Sequence, residues 1–113
     1  MKKKAFRQEL NSQFWLNNGF NHEQLGEHEA AIESYMQGIT LAPERPDGYL
    51  LCAKAYMSME DFDEALKACD VGITYAQEHT QAPWANKLKA ELEAGKTQIS
   101  QEFTKSEYGT FSS

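Results

Sequence analysis

Cysteine, basic charge and uninterrupted apolar sequence are all scarce in this chain, and each scarcity excludes something. The two cysteines, Cys52 and Cys69, form no CxxC or metal-ligand cluster, which excludes a scaffold stapled by disulfides or zinc. Two free, buried thiols in a reducing cytoplasm are expected. Eleven basic residues stand against seventeen acidic ones, leaving a net charge of −6, the wrong sign for the phosphate backbone of a nucleic acid. The one basic cluster, Lys2 to Lys4, is followed by no apolar run that would complete a signal peptide. No stretch reaches the length of a transmembrane helix, so no membrane partner is expected. Glycine-rich phosphate loops are missing. His22, His28 and His79 make neither HExxH nor a ligand pair at helical spacing. His22, at a packing-face position, reads as a hydrogen-bonded core histidine and His28 as a solvated one. Glu23, Glu27, Glu29 and Glu33 read as solvated faces and helix-start charges, not as paired catalytic carboxylates. The sequence therefore predicts no enzyme, no catalytic residue, no cofactor and no metal.

What is present is a repeat. "GITLAP" at Gly38 to Pro43 returns as "GITYAQ" at Gly72 to Gln77, and 72 − 38 = 34. The same offset pairs Trp15 with Tyr49, Leu16 with Leu50, Gly19 with Ala53, Ala31 with Ala65 and Ile32 with Leu66. Both segments are rich in helix formers and neither alternates as a strand does. Leu25-Gly26 closes a helix in the first segment, glycine accepting the left-handed conformation that such an end requires. In the second, Asp61 precedes Glu64 at the spacing of a capping box. Pro43 blocks continuation of one helix and Pro46 suits the first turn of the next. Each unit is a helical hairpin, and the fold class is all-α, in about five helices near 4–25, 28–41, 47–59, 62–77 and 81–102. Gly19 and Gly38 lie where paired helices must approach closely, since glycine inside a helix costs about 1 kcal/mol relative to alanine.

These residues resemble the tetratricopeptide repeat (TPR) family, whose period is 34 residues with fixed small and aromatic positions. Residues 12–45 match at Trp15, Gly19, Gly26, Ala31, Ile32, Tyr35 and Pro43; they depart with Asn18, His22 and Gly38. Residues 46–79 match at Tyr49, Ala53, Tyr56, Phe62, Ala65 and Leu66, and depart with Cys69 and Gln77. The resemblance covers about two thirds of the chain. One domain, 1–102, is expected, with repeats at 12–45 and 46–79, a closing helix at 80–102 begun by Thr80, and a flexible tail at 103–113. Asn17, Asn18 and Asn21 stand where repeat two has Leu51, Cys52 and Ala55, which makes them a polar end cap. Phe6, Leu10 and Phe14 form an apolar stripe on a first helix lengthened backwards.

The resemblance implies a protein-binding module whose first helices line a concave groove. The groove positions carried over are Leu16, Phe20, Leu50, Lys54, Met57, Trp84 and Leu88, bordered by Gln13, Gln24, Asp47 and Ser58. Leu16, Phe20 and Leu51 stand where members that clamp an acidic C-terminus have lysine, asparagine and arginine, so that clamp is absent, although "DFDEALKACD" is similar to co-chaperone repeats. An apolar groove suits a hydrophobic peptide or amphipathic helix. Trp84 and Leu88 either line it or pack on repeat two. The alternative to such an adaptor is a self-associating structural protein, a homodimer that buries the groove between copies.

Overall fold

The computed structural model describes residues 11–112, with side chains described through Lys105. Five helices follow one another among the described residues: α1 (Ser12–Gln24), α2 (His28–Leu41), α3 (Pro46–Ser58), α4 (Phe62–Glu78) and α5 (Ala85–Ser112). None of the described residues is in a strand. Sequential helices pack pairwise, α1 on α2, α2 on α3, α3 on α4 and α4 on α5. Short connections leave consecutive helices antiparallel, so the first four make two hairpins.

The two hairpin turns are built alike, 34 residues apart. Gly26 is left-handed at φ 77°, and Glu60 at φ 59°. The Gly26 and Glu27 N–H groups donate back to the Glu23 and His22 carbonyls, both at 2.9 Å. Glu60 and Asp61 repeat the pair on Met57 and Tyr56, at 2.8 and 2.9 Å. Both are Schellman closures, which satisfy carbonyls that a helix end otherwise leaves open. Asp61 then caps α4 by accepting from the Glu64 N–H at 3.4 Å. Only that half of the expected capping box forms, because the Glu64 carboxylate turns to Lys67 at 3.2 Å.

The expected close crossings are present, with one rotation. A Cβ on Gly19 would lie 2.5 Å from the Tyr35 ring, and one on Gly38 would lie 2.7 Å from Leu16 Cδ2. Leu16, expected in the groove, therefore fills the space that Gly38 opens. Trp15 is only half-buried and meets Phe14 edge-on at 5.3 Å. The second unit repeats the device: a Cβ on Gly72 would meet Leu92 Cδ1 at 2.5 Å and the Tyr49 ring at 2.8 Å. Apolar burial is the main favourable term here, near 25 cal/mol per Å², and it runs as three linked clusters along the stack.

The ends differ most from expectation. Asn11 is extended and its side chain accepts from the Phe14 N–H at 3.1 Å, so α1 begins at Ser12 and no helix runs through Asn11. Phe6, Leu10 and the predicted lengthening from residue 4 lie outside the described residues. In the polar end cap, Asn17 and Asn21 are exposed, while Asn18 turns inward and donates to Ser34 Oγ at 2.7 Å. At the other end, residues 79–84 wind through turns and α5 starts at Ala85, not at a Thr80 cap. α5 also continues past residue 102 to Ser112, where the sequence predicts a flexible tail. Phe103 helps to hold that extension, its ring 5.2 Å from that of Phe62. No helix among the described residues is long and apolar enough to cross a membrane.

Candidate functional site

α1, α3 and α5 are the first helices of successive units. α3 packs on both hairpin helices before it, and α5 stands in the same relation to the second hairpin. The row they form carries the predicted groove positions, which the structure sorts into three groups.

Leu50, Lys54 and Met57 come together. With Ala53 they line one wall of a cavity of about 350 Å³ whose other wall is Gly95, Gln98, Ile99 and Glu102 of α5. Helical period places the three on one face of α3. Gly95 sets the approach of the walls, for a Cβ there would lie 2.8 Å from Leu50 Cδ2. Phe20 is a surface residue, 52% exposed, but it lies on α1 outside this cavity. Lys54 is exposed and its carbonyl accepts from Ser58 Oγ at 3.2 Å.

Leu16 and Leu88 are corrections. Leu16 is 3% exposed and clusters with Ala31, Tyr35 and Cys52, and Leu88 is 0% exposed beside Tyr49 and Leu92. Both are core residues. Leu16 is drawn in by the space over Gly38. Leu88 is placed by the late start of α5, which turns its Ala85–Leu88–Leu92 stripe onto α3 and α4. Trp84 ends half-buried on the turn before α5, stacked on Tyr75 at 5.4 Å and 13°, with His79 4.2 Å from Tyr75.

The border residues serve local geometry. Gln13 accepts from Arg45 at 2.8 Å and donates to Asn17 at 2.9 Å. Asp47 pairs with Arg45 at 3.2 Å, and Gln24 is exposed. Two histidine–carboxylate pairs clasp the first hairpin turn: His22 to Glu27 at 2.7 Å and His28 to Glu23 at 3.3 Å. Neither histidine is a core residue.

The buried reactive groups are all held neutral. Burial pushes the Cys52 and Cys69 thiols up to about 11, helped at Cys52 by Cys69 and at Cys69 by Asp70. Burial likewise raises the Tyr35 and Tyr49 phenols to about 12. A thiol so raised is a poor nucleophile at neutral pH. Among the described residues no three His, Cys, Asp or Glu side chains converge as a metal site requires.

The wall contributed by α5 (Gly95, Gln98, Ile99) escaped sequence reasoning. Its signal was Gly95 inside an otherwise helical run, a mark of close approach.

An all-helical stack of hairpins on a 34-residue offset is a short helical-repeat solenoid. Residues 24–60 match the family model described as TPR repeat, a span from the end of α1 to the end of the α3 turn. Together with the five-helix architecture, that match, over about a third of the chain, supports a TPR-type repeat protein. No curated protein matches the chain. TPR repeats are non-catalytic and generally mediate protein–protein interaction, and the chain is read as an interaction module on that ground.

Proposed function

We propose that this module binds a hydrophobic or amphipathic segment of another protein on the face of its first helices, as a cytoplasmic adaptor. One observation carries the reading: Leu50, Lys54 and Met57 line a cavity of about 350 Å³ on that face. Phe20 adds an exposed aromatic on the same row, of the kind that anchors interfaces. Lys54 is the one cation of the set and would pair with an acidic residue flanking the apolar anchors. The net charge of −6 disfavours nucleic acid, and no catalytic role is assigned. Phe14, Phe20 and Leu25 are all exposed on or beside α1, which favours as a second reading a homodimer formed through that end.

A photo-crosslinking residue at position 98, on the opposite wall of the cavity, compared with and without Phe20→Ala and Lys54→Glu, tests the adaptor. Capture of one defined partner, lost in Phe20→Ala at unchanged melting temperature, supports it. A crosslink only to a second copy of the chain selects the homodimer. Capture indifferent to Phe20 removes this face from consideration.

A further inference from the structure

A second groove lies on the other side of α3. α2 and α4 flank α3 but do not pack on one another. Adjoining cavities of about 330 and 380 Å³ fill the gap and share Tyr49 and Val71. α3 gives Tyr49, Cys52 and Tyr56 to this groove and Leu50, Lys54 and Met57 to the other. At 100° per residue those two sets are centred roughly 130° apart around α3, so the grooves open on different faces.

The groove is apolar along its length and acidic at one end. Met36 on α2 and Val71 on α4 are 53% and 61% exposed and line the same cavity. Paired large apolar side chains left open across a cleft mark an interaction surface. Toward the end of α4 the lining changes to Tyr75 and Glu78. Glu64 is answered by Lys67 and Asp70 by Lys96, at 3.2 and 2.7 Å. No cation of the described residues pairs with Glu78, nor with Glu44, whose charge acts on the Tyr49 phenol at that end. A cation there would meet carboxylates and the face of Tyr75, an aromatic surface that attracts positive charge.

The occupant must also satisfy its own backbone. The described residues offer no sheet edge to which an extended peptide could add, whereas a helix brings its hydrogen bonds with it. We propose that the groove between α2 and α4 docks a basic amphipathic helix of a partner protein. Its apolar stripe lies along Met36 and Val71, and its lysine or arginine residues reach Glu78 and Glu44.

The test uses the full chain and an 18-residue leucine–lysine peptide with helical period. A scrambled peptide of the same composition and a leucine–glutamate version serve as controls. Affinity is read by fluorescence anisotropy and location by backbone amide shifts. Expected are helix induction in the ordered peptide, at least tenfold weaker binding of both controls, and shifts at Met36, Val71 and Thr74. Val71→Glu is expected to weaken binding at least tenfold at unchanged melting temperature, although it adds an attractive charge; Met36→Glu repeats the test from the opposite wall. Glu78→Gln should weaken binding about threefold at low salt and less at high salt. Equal binding of the scrambled peptide, or indifference to both glutamate variants, reduces the effect to charge attraction and overturns the proposal. Shifts confined to Leu50, Lys54 and Met57 overturn it in favour of the first groove. In the free protein, a dimer dissociated by Val71→Glu, or contacts from residues 1–10 to Val71, would assign the groove to a second copy or to the chain's own N-terminal segment, and would overturn it as well.

Discussion

Gly38 and Leu16 form a lock in which neither side chain can change size. A Cβ at Gly38 would meet Leu16 at 2.7 Å and the Ser12 carbonyl oxygen at 3.2 Å. The leucine can yield a little, the backbone oxygen cannot. Gly38→Leu should therefore lower stability by about 1–3 kcal/mol through overpacking, read as a lower urea midpoint at unchanged slope. Leu16→Ala should cost about 2–5 kcal/mol through the cavity it leaves, while Phe20→Ala on the exposed side of α1 should stay within about 0.5 kcal/mol. The same burial sets an alkaline limit. The Cys52 and Cys69 thiols are raised from 9.0 to about 11 and the Tyr35 and Tyr49 phenols from 10.0 to about 12. All four are neutral when protonated, so the fold favours the protonated form. Their contribution is complete below about pH 9, where the unfolded chain holds the protons too, and is lost as pH rises through 11 to 12. The melting temperature should be flat from pH 7 to 9 and fall steeply above it, with the thiols resisting alkylation at pH 8 until the protein unfolds.

At the scale of the element, the two hairpin turns are one structure written in two residue types. The same pair of back-bonds closes α1 and α3, and the residue at its centre is left-handed in both. Gly26 adopts that conformation freely, whereas Glu60 pays about 1 kcal/mol for its Cβ. Glu60→Gly should stabilise by roughly 0.5–1 kcal/mol, and Gly26→Ala should destabilise by about as much, both measured by thermal melts. A result of the same sign for both would break the equivalence of the turns. This pair also marks how far the sequence could be read. Gly26 announces a helix end by its chemistry, and so do Pro43, Pro46 and Asp61, which is why α2 to α4 fall within a residue of expectation. Glu60 announces nothing; only the 34-residue offset from Gly26 points to it. The end helices were less legible because no neighbouring unit fixes them. The Asn11 cap and the late start at Ala85 are single local choices. The start at Ala85 turned Leu88 into the core, while the room over Gly38 drew in Leu16. Of the groove positions, Leu50, Lys54 and Met57 came from the resemblance and share one face of α3 by helical period, whereas the α5 wall opposite them depends on a helix register that the period does not carry.

The whole molecule is long and thin, 62 × 37 × 15 Å, and each helix touches only its neighbours in the stack, save for the α1–α3 and α3–α5 contacts between first helices. Stability in such an array is a sum of units and nearest-neighbour interfaces, so damage stays close to where it is made. α5 closes one end: Leu92 is fully buried, and its Cδ1 sits where Gly72 has no Cβ. Among the described residues, α1 closes the other with exposed Asn17 and Asn21. Leu92→Ala should therefore cost about 2–5 kcal/mol, and the cost should appear first as fraying from the α5 end. Native-state hydrogen exchange reads it directly. Protection of amides in α4 and α5 should fall by two to three orders of magnitude, at 1.4 kcal/mol per factor of ten (a scale set by RT ln 10). Amides of Ala31, Ile32 and Tyr35 in α2 should lose less than about tenfold, because two interfaces separate them from the defect. Uniform loss across all five helices would mean that the stack unfolds as one cooperative block, and that the repeat description holds for its geometry but not for its energetics.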